Sequence, residues 1–410
     1  MMRYVPYKLK NIFTDTMWSI AGLTLMNVTA QFVVYPYWNR MIGTEAYGNI
    51  VYLLAIMNVM AISVGSGINY TRMRQSVGGQ TANRPYNLLM IGGNIASLLV
   101  LFFLKAAGIL KIGTLDFILF CVLSVITMWR YYADVEYRLK INYKGFFQYY
   151  FIIGVGYLAG ILLFKITGLW PFALLIGELA GLLLVLIKGS VLIDNKTINV
   201  IDSNDQFRPA FDMALLLVGT SFLSHLIFNG DRIILQLFSG STAVTFYYIS
   251  SLFGKTMTLV TSPLNGVLVG HLAKYTGPLT NKLMHQVTAA SLLAIVLATV
   301  ACTYMSFWTL PFLYPAEFEL VKKYLVLANA AQIIFFVGNV LMASILLRFT
   351  AERNQVIINV TYGILFLALC IPITGRFGIV GFCWSLLFCN VARFVLCVFL
   401  GYQSAKRGLL

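Results

Sequence analysis

Charge is scarce in this chain. Asp, Glu, Lys and Arg together make up 10% of 410 residues, and acids are the scarcer sign, 14 against 29 Lys and Arg. Ordinary soluble domains carry about 25% charged residues, so a solvated surface over most of the chain is excluded. Histidine is nearly absent; His225, His271 and His285 have no metal-ligand spacing. The six cysteines (Cys121, Cys302, Cys370, Cys383, Cys389 and Cys397) lie inside apolar runs without a Cys-x-x-Cys pair, and read as small hydrophobes rather than disulfide or metal ligands. No Gly-x-x-x-x-Gly-Lys-Ser/Thr loop is present, which argues against ATP hydrolysis by the chain itself. No nucleophile-plus-base pattern emerges either, and no cofactor is implied.

What fills the chain is apolar sequence: 60% of residues are hydrophobic. A helix needs about 20 apolar residues to cross a bilayer. Twelve runs meet that need, at roughly 17–39, 46–67, 87–104, 115–133, 147–164, 170–188, 211–238, 244–270, 286–310, 324–347, 356–374 and 378–402. The pattern predicts an all-α membrane protein of twelve transmembrane helices in contact with the lipid bilayer. The first run is too long for a signal-peptide core and lacks a small-residue cleavage site, so it reads as a retained helix.

Basic residues collect in alternate joints. With the amino terminus inside, nineteen Lys and Arg fall in cytoplasmic segments, Arg72, Arg74, Arg130, Arg138 and Lys144 among them. Seven, including Arg40, Lys111 and Arg376, fall opposite. That bias follows the positive-inside rule and puts both termini in the cytoplasm. It also accounts for the net charge of +15 without nucleic acid as a partner.

The longest joint divides the spans six and six. The predicted organisation is an N-terminal six-helix lobe at 1–190, a cytoplasmic linker at 191–209 and a C-terminal six-helix lobe at 210–410. An even number of spans per half gives both halves the same orientation, as in parallel repeats. A short echo agrees. Gly43-Thr44-Glu45-Ala46 follows the first span, and Gly240-Ser241-Thr242-Ala243 follows the seventh, 197 positions later. At the same offset Thr24 meets Ser221, Asn27 meets Ser224 and Tyr35 meets Arg232.

Polar groups at membrane depth are costly, and mark either a cavity or a bond between helices. The first span carries Thr24, Asn27, Gln31 and Tyr35 at helical spacing, and the seventh carries Ser221, Ser224, His225, Asn229 and Arg232. Both readings stay open for these stripes. Lys255 lies mid-span in the eighth run, where exposure to lipid costs about 2.5–3.5 kcal/mol or more. Its counter-charge is either an anionic substrate or a carboxylate on another helix, with Glu178, Asp212 and Asp231 as candidates. Asp231 and Arg232 are adjacent and therefore point apart on a helix; Asp231 is expected against a neighbouring helix. Pro263 and Gly65-Ser66-Gly67 are candidate hinges. Trp18, Trp38, Trp129, Trp170 and Trp308 fall near span ends, as interfacial belts do.

The stretch Asn229-Gly230-Asp231-Arg232-Ile233-Ile234-Leu235, then Gly240, Phe246-Tyr247-Tyr248-Ile249-Ser250 and Pro263-Leu264 resembles the polysaccharide-unit (Wzx-like) flippases. These belong to the multidrug/oligosaccharidyl-lipid/polysaccharide exporter superfamily. Tyr35-Pro36-Tyr37, Arg40, Gly43, Ala46-Tyr47-Gly48 and Gly65 resemble the matching segment of the first half, and Gly375, Gly378 and Gly381 also fit. The turn before the eighth span departs from the family pattern, since Ser241-Thr242-Ala243-Val244-Thr245 lacks a second glycine.

The resemblance implies two lobes related by a pseudo-two-fold in a V-shaped, alternating-access bundle in a bacterial plasma membrane. It implies a flippase moving undecaprenyl-pyrophosphate-linked oligosaccharide units of O-antigen, capsule or exopolysaccharide to the outer leaflet. The polysaccharide polymerase machinery would be a partner. Lys255 and Arg232 would hold the pyrophosphate, Asn27, Gln31 and Asn229 the sugars, and Arg72 would gather the head group from the cytoplasm. A cation- or proton-coupled drug antiporter of the same superfamily is the alternative. It would need acidic residues in its lobes, where Glu178, Asp212 and Asp231 are the candidates. An enzyme acting on the same lipid-linked sugars would need a large external loop or an acidic catalytic cluster, and the external joints are short.

Overall fold

The computed structural model describes residues 9–76, 82–189, 191–192, 203–261, 264–265, 277, 279–338, 342, 344–350 and 352–407. Among them all regular structure is helical. The first half runs α1 Leu9–Val28, a π-helical turn Thr29–Val34, α2 Tyr35–Ile42, α3 Thr44–Gln75, α4 Arg84–Ala106, α5 Thr114–Ala133, α6 Val135–Leu139, α7 Tyr143–Thr167 and α8 Phe172–Lys188. The second half runs α9 Ser203–Ser239, α10 Ser241–Ser250, α11 Leu252–Thr256, α12 Asn281–Leu313, α13 Phe318–Val321, a 3₁₀ turn Lys322–Tyr324, α14 Leu325–Gly338, α15 Ser344–Phe349 and α16 Glu352–Arg407.

Nine helical stretches among the described residues have the length and apolarity to cross a membrane. Three places differ from the regular spans expected. The last two expected spans form one 56-residue helix, α16, interrupted at Gly378, whose φ of 59° and ψ of −142° are not helical. The sixth, α8, has 17 residues, about 26 Å at 1.5 Å per residue. The eighth is broken: α10 ends at Ser250, Ser251 leaves the helical region, and α11 carries only five residues. Pro263, the expected breaker of this span, lies outside the described residues.

The helices are apolar on the outside, as lipid as solvent demands. On α4, Leu88, Ile91, Ile95, Leu99 and Phe102 are exposed, three or four positions apart on one face. The opposite face buries Met90, Asn94, Ser97 and Leu101. Large apolar side chains outward and small polar ones inward invert the amphipathicity of a soluble helix. Asn94 Nδ2 donates to the Met90 carbonyl one turn back, at 2.7 Å.

The chain forms two compact units. The first comprises residues 1–41 and 53–230, the second residues 42–52 and 231–410. The chain passes between them three times, at the last residue of α2, within α3 and within α9. In the first unit α7 and α8 pack backbone to backbone through Gly156-x-x-x-Gly160 and Gly177-x-x-x-Gly181. A Cβ at Gly156 would collide with Gly177, and one at Gly160 with the Phe172 and Ala173 carbonyls. Small residues at this spacing let membrane helices approach closely, where packing rather than the hydrophobic effect drives association. Trp38 and Trp170 meet edge to face at 5.7 Å in the core of this unit. Both are buried, whereas Trp308 is exposed. In the second unit Met284, Met342, Leu346, Phe349, Ile358 and Cys397 build a core where α12, α15 and α16 meet.

Candidate substrate-binding site

In the second unit α9 and α11 bring three charges together. Lys255 forms an ion pair with the Asp231 carboxylate, and both side chains are buried, at 9% and 3% residue exposure. The partner sought for Lys255 on another helix is thus Asp231, which leaves α9 toward its neighbour as the sequence spacing requires. Asp231 also accepts from the backbone N–H of Arg232 at 2.8 Å. The Arg232 guanidinium points elsewhere and lies over the Tyr248 ring, 5.0 Å from its centroid. Asp231, Arg232 and Lys255 together carry one net positive charge.

A polar layer surrounds this triad. Gln332 Nε2 donates to the Tyr247 hydroxyl at 2.6 Å. Asn329 accepts from the Gly254 N–H at 2.8 Å and donates to Ser306 at 3.1 Å. The broken eighth span makes the Gly254 bond possible, because Gly254 lies in the first turn of α11, whose N–H groups have no acceptor within that helix. In α16, Arg393 donates to Asn359 at 3.1 Å and faces both the Phe335 and Tyr362 rings, 4.9 and 4.8 Å from their centroids.

The remaining expected site residues belong to the first unit. Asn27 is half-buried and donates to the Leu23 carbonyl one turn back, at 2.8 Å. Ser224, its counterpart at the 197-residue offset, does the same to Thr220 at 3.0 Å. Gln31 is half-buried within the π-helical turn. Such turns recur at functional sites, and nothing in this sequence announces this one. Asn229 is buried and donates to the His225 carbonyl at 3.0 Å.

Arg72 differs from the expectation of an accessible cytoplasmic collector. Helix α3 runs on to Gln75 and carries Arg72 into the interior at 4% exposure. There it bonds the Tyr132 hydroxyl at 2.7 Å, bonds Asn83, and faces the Tyr86 ring at 5.4 Å. Next to it Asp134 gathers Asn69 at 2.5 Å, Tyr150 at 3.1 Å and Arg138 at 3.0 Å. These bonds tie the ends of α3, α5 and α7 together.

A second buried ion pair was not anticipated. Arg130, counted as a cytoplasmic topology marker, is buried on α5 and bonds Glu178 of α8 at 2.7 Å. Tyr157 donates to the same carboxylate at 2.6 Å, and Arg130 lies 4.0 Å from the Tyr131 centroid. Glu178 is therefore committed within its own unit.

Transporters are among the solved structures that the chain resembles. The chain aligns over 97% of its length with 96% of a MOP-superfamily transporter from Pyrococcus furiosus, at TM-score 0.63 and 11% identity; that protein's structure is described as having a binding pocket of reverse polarity. It aligns over 97% of its length with 97% of the Vibrio cholerae MATE transporter VcmN in its bent form, at TM-score 0.60 and 14% identity. An outward-facing multidrug resistance MATE transporter gives 0.60, 12% identity, and coverage of 97% and 96%. No curated protein resembles the sequence closely enough to be matched. With its long apolar helices the chain is a multi-pass membrane protein, in a fold that these transporters share. Residues 13–269 match the model of the polysaccharide biosynthesis protein family, and the chain belongs to that family.

Proposed function

We propose that this protein is a flippase that carries undecaprenyl-pyrophosphate-linked oligosaccharide units from the cytoplasmic to the outer leaflet of a bacterial plasma membrane. The observation that carries the reading is the triad of Asp231, Arg232 and Lys255: buried Lys255 takes the one carboxylate, and beside it the half-buried Arg232 guanidinium lies over the Tyr248 ring. A surplus of positive charge held in a low-dielectric interior suits an anion, and a pyrophosphate offers charge-assisted bonds to both Arg and Lys. Membership of the polysaccharide biosynthesis family supports a glycan on the other side of that anion. Asn27, Gln31 and Asn229 are the sugar-bonding candidates, and the polyprenyl tail would stay in lipid. The cargo would cross without covalent chemistry, and the polymerase machinery would take it up on the far side as O-antigen, capsule or exopolysaccharide.

The architecture proposed is twelve spans in two six-helix lobes. Counting α16 as two spans at Gly378, α8 as a short span and 241–261 as a broken one brings the nine long stretches to twelve. In this arrangement the lobes rock as rigid bodies and both termini are cytoplasmic. Arg72, buried and bonded, would act by holding the inner ends of α3 and α5 rather than by meeting cargo first.

Drug antiport is the second reading, favoured by the MATE transporters among the similar structures. A cation carrier needs carboxylates it can offer to its cargo, yet Glu178 already holds Arg130 and Asp231 holds Lys255. Deletion of the gene separates the two. Lipid-linked oligosaccharide should accumulate on the cytoplasmic leaflet with loss of surface glycan, and Lys255→Ala should reproduce the defect. Intact glycan with new sensitivity to cationic drugs would instead establish the antiporter.

A further inference from the structure

Residues 42–52, the first turns of α3, belong to the second unit although the rest of α3 belongs to the first. What holds them is a compact set of polar and ring contacts. Gly43 and Gly240, related by the 197-residue offset, both take positive φ, 85° and 81°, and each opens a helix. The two turns pack on one another. Thr245 donates to the Thr44 carbonyl at 2.6 Å, and Gly48 lies so close to the Ser241 carbonyl that any Cβ would collide with it. At the same offset Thr44 corresponds to Ser241, and Gly48 to Thr245. The contacts are therefore reciprocal, each position touching the counterpart of the other, which is the signature of a two-fold contact. A third element joins where α12 ends. The Thr44 hydroxyl donates to Glu317 Oε1 at 2.8 Å, and the Tyr47 and Tyr314 hydroxyls meet at 3.2 Å.

We propose that these contacts form a releasable latch on the outer side of the membrane. Thr44 and Tyr47 dock on Glu317 and Tyr314 when that side is shut, and leave them when it opens. The side rests on the odd-numbered joints being external, and the opening on the reading of the chain as an alternating carrier. Two features make the contact releasable rather than merely structural. Beside the contacts of the Tyr47 ring with Tyr248 and Tyr314, it is held by hydrogen bonds, which exchange for water at small net cost. Glu317 is also only half-satisfied: it is 3% exposed, and its Oε2 has no hydrogen-bond partner among the described residues. A buried carboxylate left in that state penalises the closed form, and water would relieve the penalty on opening. The closed state is thereby kept close in free energy to the open one. Gly48 contributes by letting two helix starts meet without interlocking side chains.

The test uses the full-length protein in membranes. Val51, buried on the latched segment, is replaced by Cys and its labelling by a membrane-impermeant maleimide is timed from the outer side, with the wild type as background. Thr44→Val and Tyr314→Phe, each removing one hydrogen bond, should speed labelling by about fivefold, the weight of one ordinary hydrogen bond in an equilibrium. Glu317→Gln keeps an acceptor for Thr44 while removing the charge, and should slow labelling. Oxidative cross-linking of a Thr44→Cys, Thr245→Cys pair should stop transport until a reductant is added. Unchanged labelling in all three variants, with unchanged thermal stability, would overturn the latch, and so would a cross-linked protein that still transports. Labelling needs no cargo. Altered labelling in a protein that moves no lipid-linked glycan would therefore keep the latch and remove the flippase.

Discussion

Lys255 and Asp231 are coupled, so neither can be judged alone. Removing one member of a buried pair leaves the other charge unpaired and costs about 3–5 kcal/mol, whereas removing both is far milder. Lys255→Ala and Asp231→Ala should each lower the melting temperature in detergent, and the double variant should recover most of that loss. If the triad serves the cargo, the double variant stays inactive in transport although it is stable. The first-unit pair obeys the same rule without touching transport so directly: Glu178→Ala, which strands Arg130, should reduce the amount of folded protein, and Glu178→Gln should reduce it less. Lys255 was legible in the sequence because a lysine inside an apolar run has few explanations. Its partner was only one of three candidates, because pairing across helices leaves no spacing to read. Arg130 was missed for a related reason. It sits at the end of an apolar run, where a basic residue ordinarily marks the membrane edge, and only the continuation of the helix into α6 carries it inward.

At the scale of elements, the contact between α7 and α8 depends on glycine. Gly156→Leu or Gly177→Leu would force apart backbones that now touch, and each should cut the yield of folded protein sharply. Gly92→Leu on α4 is the control, since nothing lies within 4 Å of the Cβ it would add and the site should tolerate it. Comparing recovery of the three variants after membrane extraction checks this. Most helices were legible from apolar length alone, but their irregularities were not. The π-helical turn at Thr29–Val34 has no sequence signal, and at the break at Ser251 a neighbouring helix takes part, since Asn329 supplies an acceptor to Gly254. The opposite happened at Gly378, where the sequence spacing located the division between two spans that the backbone joins through a single non-helical residue.

For the whole molecule, the basic bias among the joints predicts, by the positive-inside rule, which side each loop faces. Reporter fusions at both termini should report the cytoplasm, while a fusion at Gly108, in the joint between α4 and α5, should report the opposite side. The 197-residue echo was short in sequence, yet its glycines share a backbone conformation and its turns meet reciprocally. A repeat conserved in geometry more than in residue type is what a duplicated hinge would retain. The substrate was not legible to the same degree, because a cationic interior specifies an anion and not the sugars attached to it. Reconstitution reads transport of the lipid-linked glycan itself. Purified protein in liposomes loaded with an undecaprenyl-pyrophosphate-linked oligosaccharide on one leaflet should make that glycan accessible to an impermeant lectin or glycosidase on the other, and Lys255→Ala should abolish the gain. Equal accessibility with and without the protein, in liposomes where it is folded, would contradict the account.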